Sequence, residues 1–307
     1  MNYVNRYLRL NIYPQGTNDP VVFDTAWRIQ FRVKKFASSN YLSFNQAEIS
    51  VYNMTSELRT TLAQRDMSIT LIAGYEDKKN PIFDGVINNV VTSKSGTDLI
   101  TTFYCSSNIR NYNEPVQIST QNMTVTDVLK KICTEHGIRY ELPFTRAEII
   151  AKSYSGTLAK VVAMICYDYK LSAGIDNGVL VFKNKLQTAS SIADDSVYTF
   201  TPNTGMLGSP TVNERGVSLQ SLLNPDIRVN DYFKLYAPYA NYNLNTLTNR
   251  PNAVLGGELN AMAFIDTSTY NGLYMALSLE FQGDTRSNSW YTHVEGSRVW
   301  DRGAYGK

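Results

Sequence analysis

Histidine is nearly missing from this chain. Only His136 and His293 occur in 307 residues, so a Ser-His-Asp or Cys-His catalytic group would have to use one of the two. His136 falls at the expected end of a helix, where attraction to the helix dipole is the ordinary explanation. His293 falls on an expected strand beside Thr292, where a structural role explains it equally well. Cysteine is scarce too. Cys105, Cys133 and Cys166 are odd in number, widely spaced and free of any CxxC pair, which removes zinc-ribbon and thiol-redox motifs. They read as free, buried thiols of a protein assembled in a reducing cytoplasm. No stretch approaches about 18 uninterrupted apolar residues, so no helical membrane span is expected. The N-terminal MNYVNRYLRLNIYP carries charge and alternation where a signal peptide would need an apolar core. Net charge is small as well: 29 basic against 27 acidic side chains, or +2, lacks the basic excess of a general nucleic-acid binder.

Carboxylates offer little more. A cell-wall glycosidase would need a pair flanking a cleft, but Asp194-Asp195 in SSIADDS reads as a solvated linker, and Glu76-Asp77-Lys78-Lys79 reads as a charged hairpin loop. Metal ligands do not cluster in the sequence. The glycines of TGMLGSP lack the spacing and following lysine of a phosphate-cradling loop. The sequence therefore nominates no catalytic, cofactor-binding or metal-ligating residue, and an enzyme is not expected.

What the chain does contain is apolar residues at 43%, charged residues at 18% and 21 tyrosines, enough for a packed core of half-buried strands. In AWRIQFRVKKF, Trp27, Ile29, Phe31 and Val33 alternate with Arg28, Gln30, Arg32 and Lys34, which puts an apolar set on one sheet face and a cationic set on the other. RYLRLNIY, AEISVYN, MSITLIAGY, PIFDGVINNVV and DLITTFYCS read as further strands, with one or two helical turns at TSELRTTLA. Such a sheet closing around a short helix predicts a small barrel. The character changes near Glu114. Thr124-Val-Thr-Asp127 fits a capping box, followed by Val125, Val128, Leu129, Ile132 and Cys133 at helical spacing and by Gly137 as a left-handed stop. A second helix is expected over 158–169, then a hairpin in which KLSAGID and VLVFKN flank Asn177-Gly178. The last third returns to strands, ending in LYMALSLEFQGD and SWYTHVEGS around a polar turn. Before that pair, after the DYFKLY strand, 239–261 reads as a long surface loop. The expected fold is thus mainly β with an α+β insert.

Two stretches resemble the baseplate hub proteins of contractile-tailed bacteriophages and related tailocins. AEISVYNMTSELRTTL with MSITLIAGYEDKKNPIFDGVINNV, running through Ala73-Gly74-Tyr75 to Ile82-Phe83-Asp84-Gly85-Val86-Ile87, resembles the first tube-like domain of hub proteins. Thr204-Gly205-Met206-Leu207-Gly208-Ser209-Pro210, Gly216-Val217, Ser221-Leu222-Leu223-Asn224-Pro225, Gln282-Gly283-Asp284 and Trp290 resemble the second. Family members often carry His where this chain has Gln282.

The resemblance implies two tube-like β-barrel domains, 1–113 and 191–300, flanking an α+β module at 114–190, with a C-terminal tail at 301–307. It implies a homotrimeric ring, six similar units around one axis, between a sixfold tail tube or tube-initiator protein above and a threefold central spike below. Baseplate wedge and tape-measure proteins are further expected partners, and DNA enters only by passage through the lumen. The expected place is the tail baseplate of a virion, after synthesis in the bacterial host cytoplasm. The row Arg28, Arg32, Lys34 and Lys35 faces that lumen, a partner subunit, or simply solvent. Two other functions stay open on the residues alone: a tail-associated peptidoglycan hydrolase, and a distal-tail protein of a non-contractile phage binding glycans through Tyr239 and Tyr242.

Overall fold

A computed structural model describes residues 5–38, 42, 44–107, 113–119, 122–150, 152–185, 192, 197–213, 216–242 and 270–299. Asp194-Asp195, most of the expected 239–261 loop and the 301–307 tail lie outside the described residues. The chain begins with β1 (Arg6–Tyr13), β2 (Val21–Asp24), β3 (Ile29–Ser38), β4 (Gln46–Tyr52), α1 (Ser56–Thr61), β5 (Ser68–Tyr75), β6 (Lys78–Ser95) and β7 (Asp98–Ser106). The middle holds β8 (Pro115–Ile118), α2 (Val125–Glu135), β9 (Tyr140–Glu141), β10 (Tyr154–Thr157), α3 (Leu158–Asp168), β11 (Leu171–Asp176) and β12 (Val179–Asn184). The last part holds β13 (Tyr198–Phe200), β14 (Met206–Asn213), β15 (Gly216–Leu222), β16 (Tyr232–Leu235), β17 (Asn241–Tyr242), β18 (Gly272–Asp284) and β19 (Trp290–Arg298). The structure is mainly β, with its two longer helices together in the middle.

Among the described residues the strands do not close into barrels. In the first part they are ordered β2-β1-β5-β6-β7-β4-β3, antiparallel throughout. Closure would need the outer edge of β3 to return to the other end of that sheet. That edge is instead hydrogen-bonded to β18, antiparallel from Gln30↔Asp284 to Phe36↔Ser278. The sheet therefore runs on into the last part, ordered β13-β16-β18-β19-β15-β14-β17. Without the short flanking β2 and β17, each part has six strands. Ranked along the chain, both sets are laid side by side as first, fourth, fifth, sixth, third, second. The pairing of first with fourth is the exception in sense, antiparallel for β1 with β5 and parallel for β13 with β16.

Period-two alternation does what it predicts in β3: Ile29, Phe31 and Val33 are buried, in one core with Ile49 and Phe103 from the first part and Leu219, Phe281 and Val294 from the last. One core thus serves both β parts. Trp290 seals their junction. It is buried, meets Phe31 edge-on, lies under the Arg6 guanidinium and donates its indole N–H to the Gly74 carbonyl at 3.1 Å.

The middle stretch has its own core. Val128, Leu129, Ile132 and Cys133 of α2 and Val161, Val162, Ile165 and Cys166 of α3 pack with Leu171, Ile175, Leu180 and Phe182 of the β11–β12 hairpin. Each such side chain, fully buried, is worth about 1.5–3 kcal/mol. Thr124 and Thr157 cap α2 and α3, accepting from the Asp127 and Lys160 amides. The capping box at Thr124 is made differently from the reciprocal pattern: the Thr124 hydroxyl donates to the Asp127 carboxylate at 2.7 Å. The hairpin turn is left-handed at both Asn177 and Gly178, as an Asn-Gly turn requires.

Strand β11 is buried on both faces, one against the helices and the other against the β parts. It continues the sheet from Ala37 and Ser38 of β3, and the 228–231 loop lies on it. Gly174 allows that close approach: a Cβ there would sit 2.9 Å from the Val229 methyl. At this three-way joint Lys35 departs from the expected cationic row. The row has Arg28, Arg32 and Lys34 on one face, but Lys35, next in the alternation, points inward and meets Asp176 at 2.5 Å, with Arg228 3.3 Å from the same carboxylate. Ser172 donates to Asn230 at 2.6 Å beside it.

Asp231 belongs to the same joint, where burial raises its carboxyl above the usual range despite the Arg228 amide, Lys183 and Arg228. A raised acid costs the folded state stability while ionised, so the cost is present at neutral pH. It disappears as pH falls through the folded value to below the unfolded value of about 3.9. Asp231→Asn keeps an oxygen for the Arg228 amide. It is therefore expected to be more stable than the parent protein at pH 7 and equal to it below about pH 3.5. Urea midpoints across pH read that difference; an unchanged gap between the two proteins at both pH values would contradict it.

Candidate functional site

Register places the polar side chains of seven strands on one face. Across β6, β7, β4, β3, β18, β19 and β15, one row runs Asn89, Tyr104, Glu48, Arg32, Gln282, Tyr291 and Leu222. The next runs Ser106, Gln46, Lys34, Glu280, His293 and Gln220 from β7 to β15. A third holds Thr102, Ser50, Gln30 and Asp284. The alternate positions, Cys105, Ala47, Val33 and Phe281, point into the core. The face is therefore continuous across the junction of the two β parts, because β3 and β18 share hydrogen bonds in a register that keeps their polar residues aligned.

Its charges are largely answered. Arg32 grips Glu280 through Nε at 2.6 Å and Nη2 at 3.1 Å, and Lys34 approaches the same carboxylate at 3.9 Å. The Glu280 hydrogen bond and charge raise the Arg32 guanidinium further above its ordinary value. Gln30 donates to Asp284 at 2.8 Å, and Arg28 lies 3.8 Å from the same carboxylate while stacking over Tyr52. Burial pushes the Asp284 carboxyl up, but Gln30, the Arg286 amide and Arg28 outweigh it and leave it below the usual range. Two shallow depressions mark the face. One, about 450 Å³, is lined by Arg32, Lys34, Gln46, Glu48 and Tyr104; the other, about 350 Å³, by Gln30, Ser50, Gln282 and Asp284.

The residues weighed for chemistry are scattered. His136 caps α2 and contacts Glu114 at 2.9 Å, while His293 lies on the polar face edge-on to Tyr291. Glu76 and Asp77 form the β5–β6 turn, where Lys79 meets Glu76 at 3.2 Å and Lys78 reaches across to Asp226 at 2.9 Å. Tyr239 is exposed, and Tyr242 sits in β17. The three cysteines are free and buried, and burial pushes each thiol up to about 12, far from a reactive thiolate. Among the described residues no three His, Cys, Asp or Glu side chains gather as a metal site would need. Nor is any described helix long and apolar enough to cross a membrane. What the sequence did not reveal is that the polar faces of the two β parts form one surface. The alternation in each strand was visible, but the pairing that aligns them was not.

A family model described as baseplate hub gp41 matches residues 9–246. Among solved structures, the fold is similar to a tail protein from Neisseria meningitidis MC58, with a TM-score of 0.58 at 9% identity over 95% of this chain and 98% of that one. It is also similar to the 43 kDa tail protein of prophage MuSo2 from Shewanella oneidensis, with a TM-score of 0.58 at 9% identity over 96% and 97% of the two chains. A third is the E. coli c3393 protein, a component of the type VI secretion system described as structurally similar to the T4 bacteriophage tail proteins gp27 and gp5. Its TM-score is 0.54 at 12% identity over 97% of this chain and 78% of that one. At such identities the likeness is of fold alone. No curated protein matches the sequence.

Proposed function

Since the chain belongs to the baseplate hub gp41 family and is a structural protein of the phage tail baseplate, we propose that three copies close into a ring that joins the sixfold tail tube to the threefold central spike. The observation that carries this reading is the repeated strand order. The order runs from Arg6 to Ser106 and again from Tyr198 to Arg298; with domains taken as 1–113, 114–190 and 191–300, three chains present six like sheet units. A ring of that kind meets sixfold symmetry on one side and threefold on the other, and cyclic closure uses one repeated interface.

The continuous polar face lines the bore. Uninterrupted hydrogen bonding between β3 and β18 gives a wall without exposed backbone at that junction. Arg32 and Lys34 are countered by Glu280 and Arg28 by Asp284, so the wall offers few free cations to hold passing phosphates. The tube or tube-initiator protein sits above, the spike below, and wedge and tape-measure proteins are neighbours. The hub itself performs no catalysis; the face binds by contact.

An electron micrograph of intact tails carrying a bulky tag fused to this chain tests the placement. Tag density is expected at the distal end of the tube, on its axis. Density along the tube, on the sheath or at the head would refute it.

A further inference from the structure

The repeat makes one prediction that a single chain leaves unfulfilled. Aligned by strand rank, β18 corresponds to β6, and β14 to β3. The correspondence holds in detail: β18 slips by one residue against β19 between Ala276 and Ser278, and β6 slips against β7 between Ile87 and Asn89. Before the slip, β18 pairs with β16 through Met275 and β6 pairs with β5 through Val86. Beyond it, the same edge of β18 carries β3, from Ser278 to Asp284. The matching edge of β6 carries nothing: among the described residues no strand pairs with it from Asn88 to Ser95. That stretch is mostly exposed, Val91 to 44%. A long strand edge left without a partner among the described residues is a template for another strand.

The complementary strand is the one ranked like β3, namely β14. Among the described residues its outer edge is held only by a parallel pairing of Thr211 and Val212 with Asn241 and Tyr242 of β17. By rank and register these two residues match Arg32 and Val33, which pair with β18. On β14, β17 thus stands where a β18-like strand belongs.

We propose that the β6 edge from Asn88 to Ser95 binds β14 of a second copy of this chain, displacing β17 from it. The inference rests on the ring reading above and names the strands that make its interface. Transferring the β3–β18 register pairs Thr211 of one copy with Ser93 of the next, and Val212 with Thr92. The contact is head-to-tail, so it leaves no free end only when the ring closes. In the free chain β17 covers the β14 edge and restrains open-ended addition. The two pairs named are neutral, unlike Arg32 and Glu280 at the internal junction, and Lys94 is the one charged side chain of the β6 stretch.

Cysteine cross-linking in assembled tails tests the proposal. In a Ser93→Cys/Thr211→Cys chain the two positions face each other across neighbouring copies, within the Cα separation a disulfide needs. The three native thiols are buried and do not compete. Mild oxidation is expected to give a covalently closed trimer on non-reducing gels. Either single variant, and Ser93→Cys/Leu207→Cys with its offset register, are expected to stay monomeric on the same gels. A native mass of three copies without the Ser93–Thr211 link would overturn the edge pairing while leaving the trimer intact. A native mass that is not three would overturn the ring reading as well. For the exchange itself, Asn241→Pro weakens the β17 pairing and is expected to raise the assembled fraction several-fold at fixed concentration. A fall in that fraction, or no change, would mean that β17 does not compete for the edge.

Discussion

Replacing Asp176 by Ala is expected to lower the free energy of unfolding by about 3–5 kcal/mol, because it strands a buried lysine. Lys35 is only 3% exposed and its ammonium lies 2.5 Å from the Asp176 carboxylate, itself 5% exposed. Without Asp176 the lysine faces Phe281 and the underside of β11 with its charge uncompensated. Arg228, half exposed and 3.6 Å from Glu141, has another carboxylate to turn to, so the loss falls on Lys35. A Lys35→Met/Asp176→Leu chain is expected to recover most of the loss, since an apolar pair of similar volume avoids both desolvation costs. Urea unfolding of the three proteins decides the matter. If Asp176→Ala falls within about 1 kcal/mol of the parent, the joint between the module and the two β parts is looser than the ion pair implies.

Removing the Trp290 side chain is expected to cost about as much, about 3–5 kcal/mol for Trp290→Ala. Its ring fills the space where β1, β3, β5 and β19 converge, against Phe31 and beneath Arg6, and its N–H satisfies the Gly74 carbonyl. The joint between the two β parts then opens on both sides of the β3–β18 pairing. Trp290→Phe keeps much of the volume but leaves Gly74 without its indole donor, and is expected to cost less than the Ala change. Thermal unfolding followed by far-UV circular dichroism should rank parent, Phe and Ala in that order; equal melting temperatures for all three would contradict the packing described.

These two positions show where the sequence was readable and where it was not. Alternation located Ile29, Phe31 and Val33 on the core side of β3 correctly, since burial on one face leaves a period of two. Thr124, Thr157 and Asn177-Gly178 announced helix starts and a hairpin through local chemistry that needs no distant partner. Lys35 was misplaced among the outward cations. Two adjacent lysines on a strand cannot share a face, so one of Lys34 and Lys35 had to point in and find an acid. Asp176, closing the apolar run LSAGID, was the visible complement. The β3–β18 pairing left no such trace, because it is made by backbone groups some 250 residues apart that carry no side-chain signature. For the same reason the sequence predicted closed barrels where, among the described residues, one sheet runs through both parts. The repeated strand order was hidden too, since matched positions need share only burial: Phe103 corresponds to Val294, and Thr101 to Thr292.

The central claim is that one chain with two like sheet units forms the six-unit ring of a tail hub by using three copies. Native mass measurement of the hub released intact from purified baseplates tests this most directly. The account predicts a particle of three chains of 34.6 kDa each, with any bound spike or tube subunits present in threes or sixes. A hub of six copies, or a monomer in the intact baseplate, would contradict it.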